Sequence, residues 1–362
     1  SAGDREYALQ CHGVGFNILD VTDPTNIFRV QFQAMGGGGY WRDVATHFDA
    51  STGKTYAYVG AQGSQGGGGN GELFVFDLSY LSGDASNPDG VNSNPIPSLT
   101  GWKNLGYSDQ SHTINVARGL LFLNTARSTY GCRVLDLTQD PMAPVQLFYT
   151  GGIDSSYQCH DSYVREGIDG KDILFVSDGG GRRERIYDIT SVNANWPTAT
   201  NTRPPFLGET AQVSGIYAHE SWLSQDNRYL FAFDEFNIGD IYVYDVTDLT
   251  APVQIAEMQY SEQPPPGGTD NALPHNGEIR GNYLYAAYYE AGLRVFDISN
   301  PYVPVEVGKI ETHRDPDGGG TYVNDIVGTY KGAWNTYPYL PSGNILVSDM
   351  IGGLYVVQAS AP

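Results

Sequence analysis

Four of the seven histidines recur in similar company: His112-Thr113, His160-Asp161, His219-Glu220 and His275-Asn276, each at the start of a short apolar-polar segment. Imidazoles brought to one place are what a site for Zn, Cu or Mn requires, because each neutral ring offers one unprotonated nitrogen. Two further pairs, Arg42-Asp43 and Trp334-Asn335, occupy the same place in similar segments. A second set of residues closes the segments that follow: His12, Gln62, Arg127, Asp178, Asp234-Glu235, Glu290 and Asp349. Acids from this set would complete a metal shell, orient the imidazoles or accept a proton. Glu220, Glu235 and Glu290 are the candidate bases, and Arg42 and Arg127 the candidate holders of an anionic substrate group. The chemistry expected is that of a divalent transition metal (Zn, Cu or Mn) acting as Lewis acid or redox centre on an anionic or carbohydrate-like substrate.

Such convergence needs a repeating scaffold, and the chain repeats itself. A short strand with an Asp at its end recurs in FNILDVTDP (16–24), LFVFDLS (73–79), CRVLDLTQDP (132–141), RIYDITS (185–191), IYVYDVTDL (241–249) and LRVFDISNP (293–301), with LYVVQ (354–358) lacking the Asp. The carboxylates of Asp20, Asp77, Asp136, Asp188, Asp245 and Asp297 are expected to accept turn N–H groups. An apolar, aromatic segment precedes each copy, as in YLFAFDE (229–235) and YLYAAYYE (283–290), and the His-bearing segment comes before that. Three copies run on into PVQLFYT (144–150), PVQIAEM (252–258) and PVEVGKI (304–310). No long helical pattern interrupts them. Four-stranded units at a period of roughly 50 residues predict an all-β, seven-bladed β-propeller of antiparallel blades. The chain reads as one propeller domain over 1–362. Its first blade lacks the first strand, its last blade ends at the third, and an insert covers 82–108. In this fold the first strands line a central channel, so the four histidines are expected at one level of it. A one-residue error in register would turn them into the blades instead.

Composition narrows the partners. With 41 Asp+Glu against 20 Lys+Arg the formal charge is -21, which excludes the basic footprint that nucleic acid and anionic lipid need. No apolar run is long enough to span a membrane. Cys11, Cys132 and Cys159 are too few for a disulfide scaffold; a Cys132–Cys159 bridge between adjacent blades is plausible, a buried thiol is the alternative, and a Cys ligand beside imidazoles a third. The acidic, Lys-poor composition with Ser1 in first place reads as a secreted, trimmed chain.

The repeats FNILDVTDPTN, LRVFDISNPYVPVEVG and IYVYDVTDLTAPVQI resemble the LVIVD-type repeat. From Arg5 to Val357, HESWLSQDNRYLFAFDE, PHNGEIRGNYLYAAYYEAGLRVFDIS and GAWNTYPYLPSGNILVSDMIGGLYVV also resemble the choice-of-anchor B surface proteins of bacteria. That resemblance implies a secreted propeller held at the cell surface by a C-terminal anchor, whereas this sequence ends at Pro362 without one. It carries no agreed activity, so it supports fold and an extracellular or cell-surface location rather than chemistry.

Weaker signals complete the reading. His12 is a lesser ligand candidate, His313 a remote one, and His47 a surface residue. The glycine runs at 36–39, 66–71, 179–181 and 318–320 are loops, since none continues into a phosphate-loop motif. DASNPDGVNSNP (84–95) has oxygen donors spaced loosely for Ca²⁺. Tyr40, Tyr157, Tyr217, Tyr288, Tyr289 and Tyr337 either stack on a glycan at the channel mouth or pack between blades. The expected partner is thus a small molecule, glycan or protein, with self-assembly an option. The alternative to an enzyme is a surface binding or adhesion module, or a structural subunit of an extracellular assembly.

Overall fold

The computed structural model describes residues 4–35, 41–62, 72–81, 102–104, 111–126, 131–149, 158–196, 204–236, 240–261, 272–312 and 331–359. Among them every regular element is a strand, and the strands form seven antiparallel sheets. The first holds β1 (Tyr7–His12), β2 (Gly15–Asp20) and β3 (Phe28–Ala34). The second holds β4 (Trp41–Asp49), β5 (Lys54–Gln62), β6 (Glu72–Asp77) and β7 (Trp102–Asn104), and the third β8 (Ile114–Ala117), β9 (Leu120–Ala126), β10 (Gly131–Asp136) and β11 (Val145–Tyr149). The fourth holds β12 (Asp161–Ile168), β13 (Lys171–Ser177), β14 (Glu184–Asp188) and β15 (Phe206–Glu209). The fifth holds β16 (Ala218–Leu223), β17 (Tyr229–Asp234), β18 (Ile241–Asp245) and β19 (Val253–Met258), and the sixth β20 (Gly277–Arg280), β21 (Tyr283–Ala287), β22 (Leu293–Asp297) and β23 (Val305–Ile310). The seventh holds β24 (Ala333–Tyr337), β25 (Ile345–Asp349) and β26 (Gly353–Val357). Each sheet pairs its strands in sequence order, which is the blade of a seven-bladed β-propeller. Five blades have four strands. The first and the last have three.

The chain divides into two compact units, 1–174 with 187–205 and 175–186 with 206–362. In the first, the leading strands β4, β8 and β12 neighbour one another in turn; in the second, β16, β20 and β24 do so. The apolar residues that alternate along the middle strands pack between successive sheets. In the first unit Phe16, Ile18, Val59, Phe74 and Phe76 form one such layer, with the Phe16 and Phe76 rings 5.0 Å apart. In the second, Phe231, Phe233, Ile241, Leu284, Tyr288 and Phe296 form another.

The six repeat aspartates act as turn acceptors. Asp20, Asp77, Asp136, Asp188, Asp245 and Asp297 each take the backbone N–H of the Ser or Thr two residues on, at 2.8–3.0 Å. Several also hold a cation from the preceding strand, as Lys54 with Asp77 at 2.7 Å and Lys171 with Asp188 at 3.5 Å. Cys132 and Cys159 form a buried disulfide with Cα atoms 5.3 Å apart. Cys11 keeps a thiol, which burial pushes well above its ordinary range. His47 is half-buried, near the turn at Gly119.

One buried acid stands outside this pattern. Glu184 is 1% exposed; its Oε2 accepts from Ser177 and Ser221 hydroxyls at 2.9 Å, and its Oε1 has no hydrogen-bond partner among the described residues. Burial raises its pKa from 4.5 to about 7, against the lowering effect of the two hydroxyls. The folded chain therefore keeps a proton that the unfolded chain releases. Stability contributed this way is present below pH 4.5 and is lost as the pH climbs to about 7, by on the order of 3 kcal/mol. Urea unfolding followed at pH 5 and pH 7.5 should show the wild type losing stability across this span. Glu184→Gln should lose distinctly less, and an unchanged pH slope would show that Glu184 is ionised in the folded protein.

Candidate metal centre

Three of the four histidines, His112, His219 and His275, sit on a repeated irregularity of the leading strands. In the fifth blade Ala218 pairs with Asp234 and Ser221 with Ala232, so His219 and Glu220 together face one residue of β17. In the sixth, His275 donates its backbone N–H to the Ala287 carbonyl and Ala287 donates to the carbonyl of Asn276. The third blade repeats this with His112, Asn124 and Thr113, and the seventh shifts register between Ala333 and Asn335 at Trp334. Two residues opposite one is a β-bulge, which bends the strand and re-aims the side chain.

In the second unit the bulges bring His219 and His275 together. Their rings are 4.1 Å apart, and they are 0% and 1% exposed. His275 Nδ1 lies 2.7 Å from the Trp334 carbonyl, and since a carbonyl only accepts, Nδ1 carries the hydrogen and Nε2 is left with its lone pair. Glu235 enters from the end of β17, with Oε2 3.4 Å from His219 Nε2 and Oε1 3.9 Å from His275 Nε2. One ligand atom from each of the three lies within 4.8 Å of the others. The Tyr289 hydroxyl donates to Glu235 Oε1 at 2.5 Å. Tyr289 and Trp334 close over the imidazole of His275, with ring centroids 4.9 and 3.8 Å from it. Burial raises the Glu235 carboxyl from 4.5 to about 7; the Tyr289 hydrogen bond opposes this and the neighbouring Asp234 adds to it.

The first unit holds the other two histidines. The rings of His112 and His160 are 4.7 Å apart, with the Trp41 edge 5.6 Å from His112. Gln62 Oε1 binds His112 Nδ1, which places the hydrogen there and leaves Nε2 as the acceptor. The Cys132–Cys159 disulfide ends one residue before His160.

The other sequence candidates have different surroundings. Glu220 Oε2 accepts the backbone N–H of Gly277 at 2.6 Å. The repeat-equivalent Asp43 accepts from Ile114 at 2.9 Å, and Thr113 donates to the His160 carbonyl at 3.0 Å. Glu220, Asp43 and Thr113 thus each tie one leading strand to the next, which is a structural use of Glu220. Glu290 lies past the point where β21 ends. The turn at 288–292 puts Tyr288 and Tyr289 where the fifth blade has Asp234 and Glu235, and among the described residues neither Glu290 nor Glu220 belongs to a group of three close ligands. Arg42 directs its guanidinium at the His12 and Gly13 carbonyls, at 3.0 and 2.5 Å. His12 stacks on Phe32, and burial lowers its pKa together with Arg42 and Arg29. Asp178 pairs with Arg185 at 2.7 Å, and Asp349 accepts from Thr312 at 2.7 Å. Tyr288 and Tyr289 are fully buried, Tyr337 is exposed and Tyr217 half-buried. Arg127, His313, Tyr40, Tyr157, the 84–95 oxygen cluster and most of the 82–108 insert lie outside the described residues. Trp334 stood in the histidine alignment, but its part in enclosing His275 carried no sequence signal.

Residues 278–312 match the LVIVD repeat. No curated protein matches the chain. Three solved structures share the fold over most of their length. A candidate 6-phosphogluconolactonase from Bacteroides fragilis is 15% identical, with a TM-score of 0.61, 96% of this chain and 88% of the other covered. The periplasmic gluconolactonase of Pseudomonas aeruginosa is 12% identical, with a TM-score of 0.60 and coverage of 98% and 95%. A hypothetical selenium-binding protein from Sulfolobus tokodaii is 14% identical, with a TM-score of 0.59 and coverage of 98% and 90%. At these identities the likeness establishes the propeller.

A proton on Glu235 competes with a cation for the same oxygens. Co²⁺ affinity should rise with pH up to about 7, and Glu235→Gln should flatten that rise while binding more weakly throughout. A wild-type profile identical in slope to that of the variant would remove Glu235 from the site.

Proposed function

We propose that the protein is an exported β-propeller that holds a divalent transition metal between His219, Glu235 and His275. The convergence of two imidazoles and one carboxylate within 4.8 Å carries this reading. Tetrahedral Zn²⁺ with bonds of 2.0–2.1 Å sets its ligand atoms about 3.3 Å apart; the 3.4 Å between His219 Nε2 and Glu235 Oε2 fits, and 3.9 Å to His275 needs a small side-chain adjustment. The N₂O donor set suits Zn, Cu or Mn. A bound metal with an open position supplies a Lewis acid and a water acidic enough to attack at neutral pH. The chain's own residues do the rest. His275 is fixed by Trp334, His219 is shielded from solvent, and Glu235 balances the cation's charge. The two lactonase names among the fold relatives make a sugar lactone the first substrate to try, in keeping with an anionic or carbohydrate-like ligand. His112 and His160 form a second imidazole pair open to the same cations.

A buried disulfide supports export, because such bonds persist in oxidising compartments. No helix among the described residues is long and apolar enough to cross a membrane. The exposed Tyr302, Val303, Val305 and Val307 around β23, inside the LVIVD match, favour a surface-contact role as the second reading.

Elemental analysis of protein purified without chelator should find metal near one equivalent per chain, reduced at least tenfold in His219→Ala/His275→Ala. Chelation should abolish any hydrolysis of gluconolactone. Metal-free protein that gains no thermal stability from Zn²⁺, Cu²⁺ or Mn²⁺ would contradict the proposal and leave the surface-contact reading.

A further inference from the structure

We infer that Tyr289 is a positioning residue that aims the Glu235 carboxylate at the two imidazoles; the inference rests on the metal-binding reading above. Its backbone is the first observation. Tyr289 has φ of +33°, in the left-handed region that residues other than glycine rarely enter. The fourth blade offers the comparison. There Gly179, with φ of +46°, bridges to Ala218 just before His219, as Tyr289 bridges to Ala333 just before Trp334. Where the fourth blade uses a glycine, the sixth carries a large aromatic residue, likewise at positive φ.

The surroundings hold that conformation in place. The Tyr289 carbonyl accepts from Ala333 at 2.8 Å and from Gly292 at 3.0 Å. Gly332, with φ of +97°, lets the strand pass so near that a Cβ there would lie 2.1 Å from the Tyr289 oxygen. The ring is 0% exposed and meets His275 and Trp334 edge-on. Its hydroxyl donates to Glu235 Oε1, while Glu235 Oε2 faces His219 Nε2. Glu235 and Tyr289 occupy equivalent places after the second strands of successive blades, each one residue beyond a matching backbone pair, Asp234 to Asp240 and Tyr288 to Gly292. A strained backbone that delivers a single hydroxyl to a ligand oxygen is the arrangement that outer hydrogen bonds to metal ligands require.

The test is a double-mutant cycle on the full chain, titrated with Co²⁺ alone and read by affinity and by the visible absorption of the bound ion. Tyr289→Phe keeps the ring and the backbone and removes only the hydroxyl. It should weaken Co²⁺ binding by about tenfold or more and change the absorption band, with the melting temperature of the metal-free protein close to wild type. In a Glu235→Ala background the same substitution should have no further effect on residual binding by the two histidines. Equal affinity and spectrum in wild type and Tyr289→Phe, or an equal loss with Glu235 absent, would overturn the role of Tyr289 and leave the metal site standing. Wild type that takes up no Co²⁺ would overturn both. As a second probe, Gly332→Ala should displace the Tyr289 carbonyl and weaken Co²⁺ binding while Glu235 is intact.

Discussion

The β-bulge at the head of the leading strands that carry His112, His219, His275 and Trp334 is the constraint on which the candidate centre depends. A regular strand alternates its side chains, so a residue and its successor point to opposite faces. The bulge relaxes that rule at one place in each of these four blades. It lets His219 turn toward His275 while Glu220, next in sequence, reaches the Gly277 N–H of the following blade. The same division of labour appears in the first unit, where Thr113 bonds the His160 carbonyl and the His112 ring approaches that of His160. One residue of each pair joins blades, and the other is released for chemistry.

Charge follows the same division. Asp245 and Asp297 at strand ends satisfy turn N–H groups at the surface, where the cost of ionisation is small. Three inner acids are perturbed instead. Burial holds Asp43 at about 6 even though two backbone N–H groups stabilise its ionised form, and Glu184 and Glu235 at about 7. Asp43 and Glu184 have strand-to-strand work to do. Glu235 lies beside two imidazoles instead, which is where an uncompensated carboxylate gains most from a cation.

Much of this was legible in the sequence because repetition makes weak patterns add. The Asp-x-Ser/Thr endings located the third strands, and from them the seven blades, the two incomplete ones and the alignment of the histidines followed. What could not be read were features that break the repeat. A bulge is a matter of register, which the alternation of residue types does not record. The turn at 288–292 replaces the expected Glu290 with Tyr289 at the centre, because its length shifts the alignment beyond β21. Glu220 looked like a base from its neighbour His219, yet its partner is a backbone N–H of the next blade, remote in sequence. Arg42 looked poised for an anion, and its donors go to the carbonyls of His12 and Gly13.

The claim beneath all of this is that His219, Glu235 and His275 close on one ion. Crystals grown with Zn²⁺ and measured on either side of the zinc absorption edge test it most directly. The account predicts an anomalous peak about 2.0–2.2 Å from an imidazole nitrogen of each histidine and from a Glu235 oxygen. A map with no peak among these three side chains, in protein otherwise well ordered, would contradict it.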